Sequence, residues 1–396
     1  MLRICFVTDK LPIHQLGGME QHGLIVCTEL AHRGNDVTVL TTKHPKGIQF
    51  EKTGKNLEFY YLSSQGKYSK EFEKELLRKY WELQKEVNFD VIYSESTSAT
   101  ALIRDKNISI PIACLMHGFV DNNYVTRWKR GDLRGKFSAI RQWLIIKKTP
   151  VKRRAYSQCD HVITISKKNL EQYVKQNPSL ASRITLVYNG IDTELFKPNT
   201  TNKWREKLNL ESNHVIVYTG RITKSKGVQI IIELIPTLKK KYSDIQLLVA
   251  GTGDYLEQLK KMTIEYGIEE CVHFLGYIEN KKIPELLNTA DLFLFTTLTV
   301  EGLPYNVIEA LSCGCAIIGS DSEGVNELIE DRVNGILVNP KNSEELLEKI
   351  HWVFQNPQIV ERMKKNARQR ALEHFSIDKM MDGILGVLTH AMKKSN

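Results

Sequence analysis

The sequence has no long hydrophobic run. No stretch approaches the ~20 consecutive apolar residues that a membrane-spanning helix needs. The first ten residues, MLRICFVTDK, have the pattern of a strand and lack the apolar centre of a signal peptide. We therefore expect a cytoplasmic protein.

The sequence also lacks a paired CxxC pattern, which argues against the common zinc-binding and thiol-redox motifs. Several cysteines fall within predicted strands or helices, where a thiol packs as a small apolar group. We therefore expect buried free thiols and neither disulfides nor zinc ligands. The seven cysteines are Cys5, Cys27, Cys114, Cys159, Cys271, Cys313 and Cys315.

What the chain has is length and positive charge. A chain of 396 residues is too long for one ordinary core, so we expect two domains. The net charge of +9 favours anionic partners such as nucleotide phosphates or acidic lipid surfaces, without choosing between them. No nucleic-acid recognition motif accompanies the basic residues, so we expect no nucleic-acid partner.

The first half alternates short apolar runs with helical patterns, including a long charged stretch at 68–87. Alternation of this kind predicts a parallel, doubly wound α/β sheet. The predicted strands are 3–8, 37–41, 57–62, 91–94, 112–116, 161–165 and 184–187.

Two features of this half fall at the carboxyl ends of predicted strands. Gly17-Gly18 lies between the first strand and an amphipathic helix, where glycine allows a close approach to a ligand and the helix N-terminus offers N–H groups to an anion. A Gly-Gly pair is more often only a turn. His117 follows the fifth strand, so it belongs at the edge of the sheet where ligands bind, although a single histidine there is also commonly structural.

Residues 127–154 contain eleven Lys and Arg and one acid, Asp132. Apolar residues recur there at helical spacing, with Trp128 and Trp143 among the basic residues. Three interpretations stay open: a basic amphipathic helix on an anionic membrane surface, a solvated helix packed on its domain, or an electropositive wall for a charged acceptor.

The second half starts another alternating series with strands at 214–219, 245–250 and 272–275. Arg221 and Lys226 flank a short loop before a helix. A guanidinium and an ammonium at one helix N-terminus form a site for a diphosphate, although two basic residues in a loop are often only surface. The GTG at 251–253 has no third glycine at the spacing of a dinucleotide-binding fingerprint.

Glu301 and Glu309 stand eight residues apart in the stretch TVEGLPYNVIEALSCGCAIIGSD. The apolar run before Glu301 predicts a strand, and the run from 307 to 311 predicts a helix. Glu301 then lies in a loop at the carboxyl end of a strand, and Glu309 lies within the helix. Carboxylates beside a phosphate pocket can accept hydrogen bonds from sugar hydroxyls. The alternative is that both glutamates are solvated charges on the surface, as most glutamates are.

This stretch resembles the Glu-seven-residues-Glu signature of the family-four retaining glycosyltransferases, also called glycosyl transferases group 1. GGME at 17–20, MHGF at 116–119 and YNGIDTELFKP at 188–198 resemble further segments of that family. The resemblance covers nearly the whole chain. It implies the GT-B fold, with two Rossmann-like, doubly wound parallel-sheet domains facing across a cleft, at 1–197 and 198–376. Helix 377–392 is then expected to pack back on the first domain.

By the same resemblance, the protein moves a hexosyl group from a UDP- or GDP-sugar to a glycan or lipid-linked acceptor, with no metal and no further cofactor. The resemblance assigns catalysis to Glu301, His117, Arg221 and Lys226. It assigns donor binding to Gly17, Gly18, Arg221, Lys226, Ile278, Leu303, Pro304, Tyr305 and Glu309.

The sequence departs from the family pattern at two places: Leu303-Pro304 replaces a frequent aromatic or glycine, and Glu323-Gly324 replaces a frequent Gly-Gly. Two other functions stay open at this point. A nucleotide-sugar epimerase can share the GT-B fold, and a non-catalytic partner subunit can keep the nucleotide site.

Overall fold

The computed structural model describes residues 1–15, 17–64, 69–118, 155–200, 203–211 and 214–395. It divides the chain into two units, Met1–Asn189 with Met380–Asn396, and Gly190–Lys379. Each unit is built around one mainly parallel sheet. The predicted basic helix at 127–154 lies outside the described residues.

The sheet of the first unit has the strand order β3-β4-β2-β1-β5-β6-β7-β8. Its central strands are buried along almost their whole length, as expected when helices cover both faces of a parallel sheet. The pairing of β3 with β4 is antiparallel. The strands are β1 Arg3–Val7, β2 Asp36–Thr41, β3 Phe50–Thr53, β4 Leu57–Tyr61, β5 Val91–Glu95, β6 Ile112–Met116, β7 His161–Thr164 and β8 Ile184–Leu186.

The helices of the first unit cover this sheet with apolar stripes. In α2, the longest helix described between residues 1 and 189, Phe72, Leu76, Tyr80 and Leu83 are buried at helical spacing. At its start the side chain of Ser69 accepts a hydrogen bond from the N–H of Phe72. Such a cap satisfies one of the unpaired N–H groups of the first turn. The helices are α1 Gly18–His32, α2 Lys70–Val87, α3 Thr100–Arg104 and α4 Lys167–Gln176.

The sheet of the second unit has the order β11-β10-β9-β12-β13-β14, and all its pairings are parallel. Its strands are β9 Val215–Thr219, β10 Gln246–Ala250, β11 Val272–Gly276, β12 Leu292–Phe295, β13 Ile317–Ser320 and β14 Ile336–Val338. Its helices are α5 Lys203–Lys207, α6 Val228–Lys241, α7 Leu256–Glu265, α8 Ile283–Leu287, α9 Tyr305–Ser312, α10 Ser343–Gln355 and α11 Pro357–His374.

Each sheet has a topological switch point. In the first, β1 lies between β2 and β5, and in the second, β9 lies between β10 and β12. At such a point the connections leave in opposite directions and open a crevice at the carboxyl ends of the strands, where ligands of α/β proteins bind. The sequence places Glu95 at the end of β5, and Arg221 and Glu301 after β9 and β12.

The division between the units falls between Asn189 and Gly190, ahead of the boundary predicted at 197. Ile191 exchanges backbone hydrogen bonds with Phe375 and Ile377 of the second unit, which ties the chain to that unit from this point. The last helix, α12 Ile377–Ser395, belongs to the first unit from Met380 onward. There Asp382 forms an ion pair with Arg33.

The expectation of free thiols is wrong for one pair, because Cys114 and Cys159 form a disulfide. Cys114 lies on β6 and Cys159 lies just before β7, and these two strands pair in the sheet. The two cysteines are 45 residues apart in the chain, so the sequence does not show that they are close. The other five cysteines are free and buried. Within the described residues, none of the helices has the length and apolar character to cross a membrane.

Candidate functional site

Lys226 and Glu301 meet in the crevice of the second sheet. Lys226 ends a short 3-10 turn, Lys224–Lys226, that precedes α6, and Glu301 lies in the loop after β12. The Nζ of Lys226 is 2.7 Å from Oε1 of Glu301, and the hydroxyl of Thr297 donates to the same oxygen at 2.7 Å. The two charged side chains are only 22% and 14% exposed. The loop therefore holds a mostly buried cation and carboxylate in contact.

A glycine makes this approach possible. Gly227 follows Lys226 with a φ of +74°, a conformation that L side chains rarely adopt. A Cβ at this position would collide with the carbonyl oxygen of Thr296. The backbone of the turn thus lies directly against the end of β12, which places Lys226 beside Glu301 and 5.7 Å over the ring of Phe295.

Arg221 lies in the loop after β9, with an exposed side chain. Its carbonyl accepts a hydrogen bond from the hydroxyl of Tyr218 at 3.1 Å. Burial raises the pKa of Tyr218, the charge of Glu301 raises it further, and the charge of Arg221 lowers it. Both charges therefore act on one buried hydroxyl. Together with the N-terminus of the 14-residue helix α6, Arg221 and Lys226 make this crevice favourable for an anion.

Glu309 lies inside helix α9 and is 7% exposed. The side-chain N–H of Asn280 donates to its Oε1 at 3.0 Å. Burial raises the pKa of Glu309 to about 7, although the hydrogen bond from Asn280 opposes the rise. Near neutral pH this carboxyl group changes readily between a hydrogen-bond donor and an acceptor, which suits contact with sugar hydroxyls.

The loop from Glu301 to α9 is held by backbone contacts. The N–H of Glu301 donates to the carbonyl of Glu323 at 3.1 Å, and Gly324 follows Glu323 with a φ of +83°. Leu303 is buried in the unit. Pro304 occupies the cap position, and Tyr305 begins the helix. Ile278 is partly buried in the loop after β11, two residues before Asn280.

The remaining predicted site residues belong to the first unit. Gly17 is the residue before α1 and Gly18 begins that helix. His117 follows β6, and its Nε2 is 2.6 Å from Oε2 of Glu95. The other oxygen of Glu95 lies 2.9 Å from Nδ1 of His22, which is on α1. Helix α1 therefore begins at the glycine pair and also carries His22, which contacts Glu95.

Glu95 is buried with the two histidines. Burial raises the pKa of Glu95, but the charges and hydrogen bonds of His22 and His117 are together larger and bring the pKa to about 2. Among the described residues, these three side chains also form a group that could hold a metal ion, because their ligand atoms lie within 4.8 Å of one another. Both carboxylate oxygens, however, already accept short hydrogen bonds from ring nitrogens.

A small cavity adjoins this cluster at the carboxyl ends of β1 and β5. Hydroxyls, charged groups and one thioether line it: Thr8, Asp9, Lys10, Met19, Glu20, Glu95, Ser96 and His117. The ring of His117 thus forms part of a polar wall, at the place in the sheet where a ligand is expected.

The sequence analysis did not single out several residues that the structure places around the site. In the second unit they are Tyr218, Asn280 and Thr297, and in the first unit they are His22 and Glu95. The clearest available signal was polarity at a strand end, because Glu95 closes the buried strand VIYSE and Thr297 follows the buried strand β12. His22 and Asn280 carry no comparable signal in the sequence.

Comparison with known families accounts for both units. A model described as Glycosyltransferase Family 4 matches residues 16–195, and a model described as Glycosyl transferases group 1 matches residues 200–370. The two matches adjoin one another and together take in most of the chain.

Individual proteins give the same result. The chain is 27% identical to an uncharacterised glycosyltransferase of Methanocaldococcus jannaschii over 60% of this chain and 62% of that protein. It is 25% identical to an uncharacterised glycosyltransferase of Haemophilus influenzae over 95% of this chain and 97% of that protein. In four of the relatives, including the one from Methanocaldococcus jannaschii, the matched segment spans only between 47% and 64% of the relative's own length.

Among solved structures, sucrose-phosphate synthase of Thermosynechococcus elongatus superposes with a TM-score of 0.82 at 18% identity, over all of both chains. Anabaena HepE in complex with UDP-glucose gives a TM-score of 0.75 at 20% identity, over 98% of this chain and 100% of that chain. These likenesses show the fold. That fold is GT-B, and the two family models show that the chain belongs to the group 1, family 4 glycosyltransferases.

Proposed function

We propose that the protein transfers a hexosyl group from a nucleoside diphosphate sugar to a hydroxyl of a glycan or lipid-linked acceptor, with retention at the anomeric carbon. The observation that carries this proposal is the contact of Lys226 with Glu301 at 2.7 Å, beside the N-terminus of α6. A cation and a carboxylate held together at one helix N-terminus suit a ligand that has both a diphosphate and a sugar. The UDP-glucose complex of the structurally similar HepE supports this choice of ligand.

In the proposed reaction, the bond between the anomeric carbon and the diphosphate oxygen breaks, and its electron pair leaves with the diphosphate. Arg221, Lys226 and the amides at the start of α6 stabilise the negative charge that develops there. The acceptor oxygen forms its bond to the anomeric carbon on the same face, and its proton passes to the leaving phosphate oxygen. The reaction therefore needs no enzymic base and no divalent metal.

The two glutamates have different parts in this proposal. Glu301 positions the hexose and stabilises the positive charge that develops on it, and Glu309 accepts hydrogen bonds from the ribose hydroxyls. On the first unit, the resemblance to the family gives His117 a contact with the hexose and gives the Gly17-Gly18 loop a contact with the donor diphosphate. Leu303, Pro304 and Tyr305 contribute main chain and shape to the hexose site, and Ile278 borders the nucleobase.

The test is a thermal-shift panel of UDP, GDP and their hexose conjugates, followed by product analysis with soluble and lipid-linked glycans. We expect one nucleoside diphosphate sugar to raise the melting temperature. We also expect transfer in the presence of EDTA, and a product that keeps the anomeric configuration of the donor. Isomerisation of the donor without acceptor would instead show an epimerase. Donor binding without transfer to any acceptor would indicate a non-catalytic subunit.

The basic segment at 127–154 is proposed to bring the enzyme to an anionic membrane surface, where a lipid-linked acceptor would lie, on the cytoplasmic side. Its support is the ratio of eleven basic residues to one acid. We expect liposomes rich in anionic lipid to sediment the protein at low salt and neutral liposomes to leave it in solution. If a control basic peptide sediments with the anionic liposomes and the protein does not, the membrane proposal is wrong.

A further inference from the structure

One carboxylate of the first unit is buried without a protein partner. Glu20 lies in the first turn of α1 and is 8% exposed. Its side chain forms neither a hydrogen bond nor an ion pair with any residue that the structure describes. A buried carboxylate is costly in this state, because nothing replaces the water that it has lost. The burial of Glu20 therefore points to a ligand that supplies the missing contacts.

Glu20 lines the small cavity at the carboxyl ends of β1 and β5, and two other carboxylates line it as well, those of Asp9 and Glu95. Both of these have partners. Oδ1 of Asp9 accepts a hydrogen bond from the hydroxyl of Ser98 at 3.2 Å, and the two oxygens of Glu95 each lie within hydrogen-bond distance of a histidine ring. Of the three carboxylates, Glu20 is thus the one whose oxygens no described residue uses.

The wall of the same cavity is strained at one position. Ser96 lines the cavity and has a φ of +54°, a conformation that costs free energy in a residue with a Cβ. Hydrogen bonds on both sides hold it there, since its N–H donates to the carbonyl of Leu115 at 2.7 Å and its carbonyl accepts from the hydroxyl of Ser94 at 3.0 Å. Strain that the surrounding structure maintains in this way is concentrated at ligand sites.

The charges in the wall decide the kind of ligand. The three carboxylates repel an anion such as a diphosphate, and the ammonium of Lys10, which also lines the cavity, repels a cation. The Nζ of Lys10 donates to Oε1 of Gln15 at 2.5 Å, and an ammonium has three N–H groups, so it can donate to a ligand as well. A neutral ring with several hydroxyls suits this wall, because each hydroxyl can donate to a carboxylate and accept from an ammonium.

We propose that this cavity binds the acceptor, and that Glu20 recognises it by accepting hydrogen bonds from two adjacent hydroxyls of a neutral sugar or cyclitol ring. This inference rests on the proposed function, in which His117, another residue of the cavity wall, contacts the transferred hexose. It narrows the acceptor to one whose bound end is an uncharged ring with a pair of free hydroxyls. Glu20 determines specificity and takes no part in the chemical step.

The first measurement shows whether Glu20 has a structural role. Glu20→Gln keeps the size of the side chain and removes its charge. No described residue pairs with that charge, and two further carboxylates line the same cavity. We therefore expect the variant to melt at the wild-type temperature or above it, as is common when a group that serves binding at the expense of stability is replaced. A clearly lower melting temperature would show that the carboxylate stabilises the fold, and would overturn the proposal.

The second measurement is the binding of methyl hexosides and myo-inositol, followed by saturation-transfer NMR in the presence of UDP or GDP. We expect at least one of these neutral rings to bind the wild type and to bind Glu20→Gln at least about tenfold more weakly. The Kd of the protein for UDP and GDP should change less than about twofold, since a tenfold change needs about 1.4 kcal/mol.

Deoxy derivatives of the ring that binds then locate the contact. Removal of a hydroxyl that Glu20 holds should weaken binding to the wild type about tenfold and leave binding to Glu20→Gln nearly unchanged, because the variant has already lost that interaction. Glu29→Gln is the matched control. Glu29 lies on the same helix, where it contacts His32, and it is not part of the cavity wall, so this variant should keep every wild-type value.

Equal binding of the neutral rings by the wild type and Glu20→Gln would refute the role of Glu20, and so would the same losses for the deoxy derivatives in both proteins. Absence of binding by every neutral ring, even at high millimolar concentration, would overturn the proposal. Tighter binding of an amino-deoxy hexoside than of its hydroxyl parent would show a cation site instead. Absence of transfer by the wild type with every donor would refute the proposed function alone, because the binding measurements do not depend on transfer.

Discussion

The ammonium of Lys226 is held by the carboxylate of Glu301 at 2.7 Å, and both groups are mostly buried. Removal of either partner leaves the other as a poorly solvated charge, which is costly. The two residues therefore act as one unit, and their substitutions should not be additive. In a double-mutant cycle with Lys226→Ala and Glu301→Gln, we expect the double variant to be scarcely slower than the slower single variant.

Lys226→Ala should slow transfer by a factor that corresponds to about 2–4 kcal/mol, the usual cost of one lost preorganised stabilising donor. The measurement is kcat under saturating donor. Lys224→Ala is the matched control, because Lys224 lies on the same 3-10 turn and its side chain forms no ion pair among the described residues. Turnover of Lys226→Ala within threefold of the wild type would remove Lys226 from the mechanism.

Glu301→Gln should reduce turnover more than it reduces affinity for the nucleoside diphosphate. The amide keeps the shape of the side chain and the contact with Thr297 but loses the charge that faces the developing positive charge on the sugar. Calorimetric Kd values for UDP and GDP, set beside kcat for the same variant, measure the difference. Unchanged turnover would mean that Glu301 is only a structural partner of Lys226.

Glu309 should make the stability of the free protein depend on pH. Its pKa is raised from 4.5 to about 7, so the folded state binds more protons than the unfolded state between these values. Stability from this group is fully present below pH 4.5 and is lost as the pH rises through 7, by about 3 kcal/mol in total. Glu309→Gln should therefore melt higher than the wild type at pH 8 and at the same temperature at pH 4.5.

The partner of Glu309 offers the complementary test. The hydrogen bond from Asn280 lowers the pKa of Glu309, so in Asn280→Ala the loss of stability should continue to a higher pH and be larger in total, which lowers the melting temperature at pH 8. Melting curves of Asn280→Ala from pH 5 to pH 9 measure the shift. Identical pH profiles for this variant and the wild type would show that the Asn280 contact has no effect on Glu309.

Gly227→Ala should destabilise the protein strongly and abolish nucleotide binding. The methyl group meets the carbonyl oxygen of Thr296, so the turn that carries Lys226 must move away from β12. Gly47→Ala is the control, since Gly47 has a φ of +75° but nothing within 4 Å of its Cβ position. Comparing the thermal melting of both variants separates the effect of the collision with Thr296 from the effect of a side chain at positive φ. Equal losses in the two would argue against a close approach at Gly227.

The order of the secondary structure was largely predictable from the sequence, because buried parallel strands are continuous apolar runs. The prediction of a strand at 112–116 matches β6, Ile112–Met116. The strand β3, Phe50–Thr53, was not predicted, and all four of its residues are exposed, so it lacks the pattern on which such a prediction depends. The disulfide was also missed, since strand order is not visible in the sequence.

The sequence brings Lys226, Glu301 and Glu309 forward as candidates because their motif repeats the spacing of a known family. The contacts that the structure adds around the candidate residues could not be predicted in the same way. Asn280 bonds to Glu309 across 29 residues, and His22 bonds to Glu95 across 73. Such contacts depend on which helix covers which strand end, and no local pattern in the chain records that.

The pairing of β6 with β7 joins Ala113 to His161 and Met116 to Thr164 in parallel register. Strand β5 pairs with β6 in the same parallel sense, with Glu95 opposite Leu115. The register of these strands therefore keeps His117, the first residue after β6, at the same edge of the sheet as Glu95.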